Sequence, residues 1–155
     1  MSGQYPLAPR STAISGLSSG LLGLIEKLRR YKVGLVQVEI GALPEALLDL
    51  QSQLPDAVLT DLLQNLNEGD IERLTARRLA ELVVPSAIER VPRIVLNFES
   101  LFTTLERSSQ QQVIKHLAWA EPLRPCLVIL HSDYTTDRLR EAFSNRIYQW
   151  NRASR

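Results

Sequence analysis

The chain has 155 residues, a formal net charge of +1, 45% hydrophobic and 23% charged residues. That is the profile of a globular protein with enough chain for a real core, and it excludes a disordered polymer or one drawn to nucleic acid by its overall charge. A single cysteine, Cys126, excludes an internal disulfide, and His116 and His131 lie in separate segments without zinc-site spacing, so neither a structural metal nor a cofactor is expected.

Residues 1–15 hold Gly, Pro and Ser without periodicity and lack the apolar core of a signal peptide. They read as a flexible arm before a single α/β domain over 16–155. No apolar run approaches the ~20 residues that span a bilayer, so the expected location is the cytoplasm and no membrane partner is expected. The first helix is GLSSGLLGLIEKLRRY, with Leu17, Leu21, Leu24, Ile25 and Leu28 at helical spacing. Ser18 or Ser19 can cap it, and Lys27, Arg29 and Arg30 suit the negative end of its dipole. KVGLVQVEIG reads as a strand ended by Gly41. Pro44 and Glu45 then open a helix that runs through Leu47, Leu48 and Leu50 to Pro55-Asp56.

A short strand is expected over Ala57 to Asp61. GDIERLTARRLAELVV reads as one helix capped by Asp70, with Ile71, Leu74, Leu79, Leu82 and Val83 on one face. Pro85 interrupts the pattern, and a turn of helix follows at Ser86 to Arg90. RIVLNFES, residues 93 to 100, reads as a strand with an almost fully apolar start. SSQQQVIKHLAWAEP is a helix capped near Ser108 or Ser109, with Val113, Ile114, Leu117 and Ala118 turned inward. CLVILHS is another apolar strand, TTDRLREAFS a helix capped by Thr135 or Thr136, and NRIYQWN a final strand. Continuous apolar strands alternating with amphipathic helices predict a three-layer α/β sandwich with a mostly parallel sheet of about five strands.

The first strand-turn-helix invites comparison with a phosphate-binding loop, which needs G-x-x-x-x-G-K-[ST] between a strand and a helix. Residues 41 to 48 read G-A-L-P-E-A-L-L. Gly41 matches the first glycine. Ala46 stands at the second glycine, Leu47 at the lysine and Leu48 at the hydroxyl. Pro44 removes an N–H donor and Glu45 adds negative charge, so binding a triphosphate here would carry a large desolvation cost. The loop is not a working cradle. Further along, R-I-V-L-N-F-E-S echoes the acidic strand of P-loop ATPases, with Glu99 in place but Leu96 where the magnesium-binding aspartate would stand. The next strand ends in His131, Ser132 and Asp133, and ATPases of the AAA+ type put a phosphate-sensing polar residue at that point.

With these features the chain resembles the AAA+/P-loop NTPase core across roughly residues 17 to 151. Within that group it is most similar to BrxF, the small P-loop family of type 3 BREX phage-defence operons. That family's acidic strand resembles D-N-hydrophobic-E-x-L-F, and Asn97, Phe98, Glu99, Leu101 and Phe102 fit it. The resemblance implies a P-loop-like fold, phage defence and partners that handle DNA. With the lysine, hydroxyl and aspartate missing, it implies a non-catalytic adaptor or assembly subunit beside a larger protein, an active ATPase being one candidate.

Two other classes compete. Arg73, Arg77 and Arg78 read as lying on one helix, and Arg146, Tyr148, Trp150 and Arg152 form a basic-aromatic tail. Either could contact a partner or nucleic acid, although a solvated face paired with Glu72 and Glu81 accounts for the first. Arginine heavily outnumbers lysine, which suits phosphate contacts and interfaces, but genome composition produces the same excess. An enzyme with unrelated chemistry would place its residues at the carboxyl ends of the strands, using Asn97, Glu99, Ser132 and Asp133. Glu39, Asp49 and Glu99 are the carboxylates an acid–base pair would draw on. His131-Ser132-Asp133 holds triad residue types, but consecutive residues cannot converge as a triad does.

Overall fold

The structure is a computed structural model that describes residues 20–21, 23–25, 33–85, 91–122, 124–144 and 146–151. Five strands, β1 (Val33–Gln37), β2 (Val58–Asp61), β3 (Arg93–Leu96), β4 (Cys126–Leu130) and β5 (Ile147–Gln149), form one sheet in the order β2-β3-β4-β1-β5. Every pairing is parallel. The fold is therefore a three-layer α/β sandwich, as the continuous apolar strands predict.

Side chains alternate across the central strands and divide the core in two. Val33 and Leu35 of β1, Val95 of β3, and Cys126, Val128 and Leu130 of β4 face one layer. There they meet α3 (Ala76–Val83), α4 (Phe98–Phe102), α5 (Arg107–Ala118) and α6 (Asp133–Phe143). Val36, Ile94, Leu127 and Ile129 face the other layer. That layer holds α1 (Leu43–Gln53) and helical residues around Leu21 and Leu24. The division follows from right-handed crossovers. From β1 the chain crosses to the far edge at β2 under α1, then returns through β3 and β4 and passes β1 to reach β5, its later helices on the opposite face. The direction reverses between β1 and β4, where open α/β sheets form a crevice at their carboxyl ends.

Several boundaries differ from the sequence reading. β1 ends at Gln37, and a 3-10 turn at Ile40–Ala42 precedes α1. The helix expected over 69–84 is two: α2 (Glu68–Glu72) and α3. Asn67, not Asp70, caps α2 through a reciprocal box with Asp70, and the Thr75 side chain accepts from the Arg78 amide to start α3. Two strong start signals eight residues apart outweigh a shared apolar period. The strand expected over 93–100 stops at Leu96, because Asn97 adopts the left-handed conformation (φ 66°) and Phe98 begins α4. Asparagine tolerates that region. Glu106 rather than Ser108 or Ser109 precedes α5, and Ser132 rather than Thr135 or Thr136 caps α6. The expected arm, the basic end of the first helix and the turn at Ser86 to Arg90 lie outside the described residues.

Candidate functional site

The carboxyl ends of β1, β3 and β4 bring together the residues compared above with nucleotide-binding motifs. After β1, Val38 is buried and Glu39, Ile40 and Gly41 are exposed. The Ala42 amide donates to the Glu39 carbonyl at 2.9 Å, and the Leu43 amide donates to the Ile40 carbonyl. Pro44, in the first turn of α1, has no N–H. Three consecutive backbone positions at the mouth of the helix therefore offer no donor to an anion, two because they are used and one by its chemistry. A Cβ built on Gly41 meets nothing within 4 Å and its backbone is not left-handed, so this turn has no need of glycine. Ala46 is buried under the sheet, Leu47 is half-buried, and Leu48 points to solvent. Glu45 brings its charge to the first turn of α1.

On β3, Leu96 packs against the α1-side core, which leaves no carboxylate at the aspartate position. Asn97 turns its side chain away to donate from Nδ2 to Asp61 Oδ1 at 2.7 Å, and the same oxygen accepts from the Leu63 amide. Glu99, in the first turn of α4, accepts through one oxygen from the amides of His131 and Ser132, each at 3.0 Å. Here the glutamate pins β4 to α4. Ser132 Oγ accepts from the Thr135 amide and donates to Thr135 Oγ1, so it serves as the cap of α6.

His131 Nδ1 lies 2.8 Å from the Val38 carbonyl. A carbonyl only accepts, so Nδ1 carries the proton and Nε2 of the neutral ring is an acceptor. Asp133 Oδ1 accepts from Gln37 Nε2 at 2.8 Å. These groups, with Glu39 and Trp150, line a cleft of about 600 Å³ opening between the ends of β1 and β5. No motif in the sequence marks Gln37. It is the one polar side chain in the apolar stretch VGLVQV, a signal that was there to be read.

The candidate contact residues separate into two groups. Arg73 follows α2 and pairs with Asp70, Arg77 lies on α3 and pairs with Glu81, and both are largely exposed, as is Arg78. Arg73 does not share the helix of the other two. Arg146 and Trp150, in contrast, are interior residues. Arg146 donates to the carbonyls of Val33 and Ala118 and lies over the Phe143 ring. Trp150 is 3% exposed and donates from its indole to Asp49. Tyr148 is half-buried, and Arg152 lies outside the described residues. Asp49 and Glu99 are thus held by different partners, which argues against a shared acid–base pair. His116 is exposed on α5.

Burial pushes the Cys126 thiol up to about 12 against the opposing pull of Arg93, and burial aided by Asp49 pushes Tyr148 up to about 12. Among the described residues no group of three His, Cys, Asp or Glu side chains is placed to hold a metal ion, and no helix is long and apolar enough to cross a membrane. Compared with protein-family models, with curated proteins and with solved structures, the chain matches none.

Proposed function

We propose that this chain is a non-catalytic, P-loop-NTPase-like subunit that serves as an adaptor or assembly element of a larger complex. The observation that carries the proposal is the turn after β1, where two amides bond within the turn and the next position is proline. A nucleotide triphosphate there would meet Glu45 and no donor at these positions, with leucines where lysine and a hydroxyl would be needed. The place of β4 between β1 and β3 lends support: the AAA+ resemblance implies a polar strand end beside the turn and the acid, and there the Ser132 amide donates to the Glu99 carboxylate. The BrxF resemblance implies a complex in phage defence with a larger, DNA-handling partner, and the N-terminal composition fits a cytoplasmic location.

The test is calorimetric titration with ATP and magnesium, alongside thermal melting. No heat and no change in melting temperature are expected; micromolar binding of ATP would refute the proposal. Direct binding to DNA through Arg73, Arg77 and Arg78 is the competing reading, favoured by the exposure of all three. It predicts an affinity for duplex DNA that falls steeply with added salt.

A further inference from the structure

We infer that the cleft between the ends of β1 and β5 is a receptor for a guanidinium group. Its lining includes the carboxylates Glu39 and Asp133 and the imidazole of His131, and among the described residues no lysine or arginine lines it. A buried polar group gives the second line of argument. Gln37 is only 9% exposed and donates its Nε2 to Asp133. An ionised carboxylate can only accept, so this fixes the amide orientation and leaves Oε1 as the other end. Among the described residues the Gln37 side chain bonds only through Nε2, so Oε1 has no partner there, and the side chain lines the cleft. Native proteins rarely leave such an acceptor unpaired. The neutral form of His131 adds a third acceptor at Nε2, because its Nδ1 proton is committed to the Val38 carbonyl.

Gln37 Oε1, His131 Nε2 and the Asp133 carboxylate thus present acceptors from neighbouring strand ends, with Glu39 at the rim. Among the described residues no three side chains are grouped to hold a metal ion. An ammonium is a strongly hydrated point charge. A guanidinium is flat, more weakly hydrated and carries five N–H donors in a fixed fork, so it can satisfy several separated acceptors at once. The inference deepens the adaptor reading and rests on it in one respect: it supplies the chemistry by which an arginine of a partner protein would be held where a nucleotide is not.

The full chain, isotopically labelled, is titrated at pH 8 with agmatine, with an acetylated and amidated Gly-Arg-Gly peptide, and with the same peptide carrying citrulline. The guanidinium probes are expected to shift the Gln37 side-chain amide and the Trp150 indole signals in NMR spectra, and citrulline is not. Tighter binding of the peptide identifies a protein partner as the source, and tighter binding of agmatine a small guanidine. Asp133→Asn, and separately the exposed Glu39→Gln, should each weaken binding about tenfold, while Asp137→Asn on the outer surface of α6 leaves it unchanged. Thermal melts confirm that each variant is folded. Silence toward both guanidinium probes at millimolar concentration overturns the inference, as does equal binding of citrulline or indifference to both cleft variants. ATP with magnesium is titrated in parallel: its binding sinks the adaptor reading, whereas silence from ATP and probes alike sinks the receptor alone.

Discussion

Glu99 separates a structural carboxylate from a catalytic one. Its single oxygen takes two backbone donors, the amides of His131 and Ser132, at 3.0 Å each. Removing the carboxylate with Glu99→Ala leaves both amides without that acceptor at a half-buried position. A hydrogen bond to a charged group contributes ~1.5–3 kcal/mol, and an orphaned buried donor costs ~1–3 kcal/mol. Water reaches this half-buried site and recovers part of the loss, so a net cost of about 3 kcal/mol is expected for the pair. For a chain of this size each kcal/mol lowers the melting temperature by roughly 2–4 °C, so Glu99→Ala should melt about 6–12 °C below the parent. Glu99→Gln keeps an acceptor but loses the charge, and should lose about half as much. The assay is urea and thermal denaturation of the three proteins side by side. A glutamate kept for chemistry commonly sits at a cost to stability, and its removal is neutral or stabilising. An Ala variant that melts at or above the parent temperature would therefore show that the two amide bonds do not anchor β4.

Gly41→Ala should be neutral or up to about 1 kcal/mol stabilising by urea titration, because a Cβ enters open space and the unfolded chain loses freedom; a cost above 1 kcal/mol would mean the turn does need glycine. Arg146→Met should cost about 2–4 kcal/mol, since it strips charged donors from the Val33 and Ala118 carbonyls and the cation from the Phe143 ring, and a surface-like cost below 0.5 kcal/mol would return this residue to the list of contact candidates. Alkali should weaken the fold with a defined sign. Cys126 and Tyr148 are neutral when protonated, and an unfolded chain releases their protons near 9.0 and 10.0, whereas the folded chain holds them to about 12. Their contribution is complete below pH 9 and is lost as pH rises toward 12. The urea midpoint should fall across that range, less so in a Cys126→Ala, Tyr148→Phe double variant, and an equal fall in both proteins would remove these two groups as the cause.

What was legible in the sequence was whatever a period or a composition encodes. Apart from Gln37 and Arg93, VGLVQ, RIVL and CLVIL are apolar on both faces, and that pattern announces a parallel sheet covered by helices on each side. Buried positions such as Val113, Ile114 and Leu117 followed from helical spacing. The missed boundaries were decided by single polar side chains. Thr75 and Asn67 split a helix whose apolar stripe ran on without a break, and Asn97 ended a strand through one left-handed residue. Spacing carries no record of such events. The tail misled for a related reason. Arg146 and Trp150 have the composition of an interface, yet the chain runs alongside β1, where the carbonyls of Val33 and Ala118 and the carboxylate of Asp49 take their donors. Charge and aromaticity describe what a side chain can bind, and only the three-dimensional path decides whether the protein itself has already bound it.

Placing β1 between β4 and β5 also has a bearing on how the chain reaches its native state. Val33 finds Cys126 on one side and Leu35 finds Ile147 on the other, so β1 has both neighbours about ninety or more residues downstream. Until those late segments arrive, an apolar ribbon emerges early and waits with both edges open. Non-local closure of that kind slows folding and exposes sticky intermediates. Refolding from urea should accordingly be sluggish and concentration-sensitive, with the middle of the molecule among the last parts to lock.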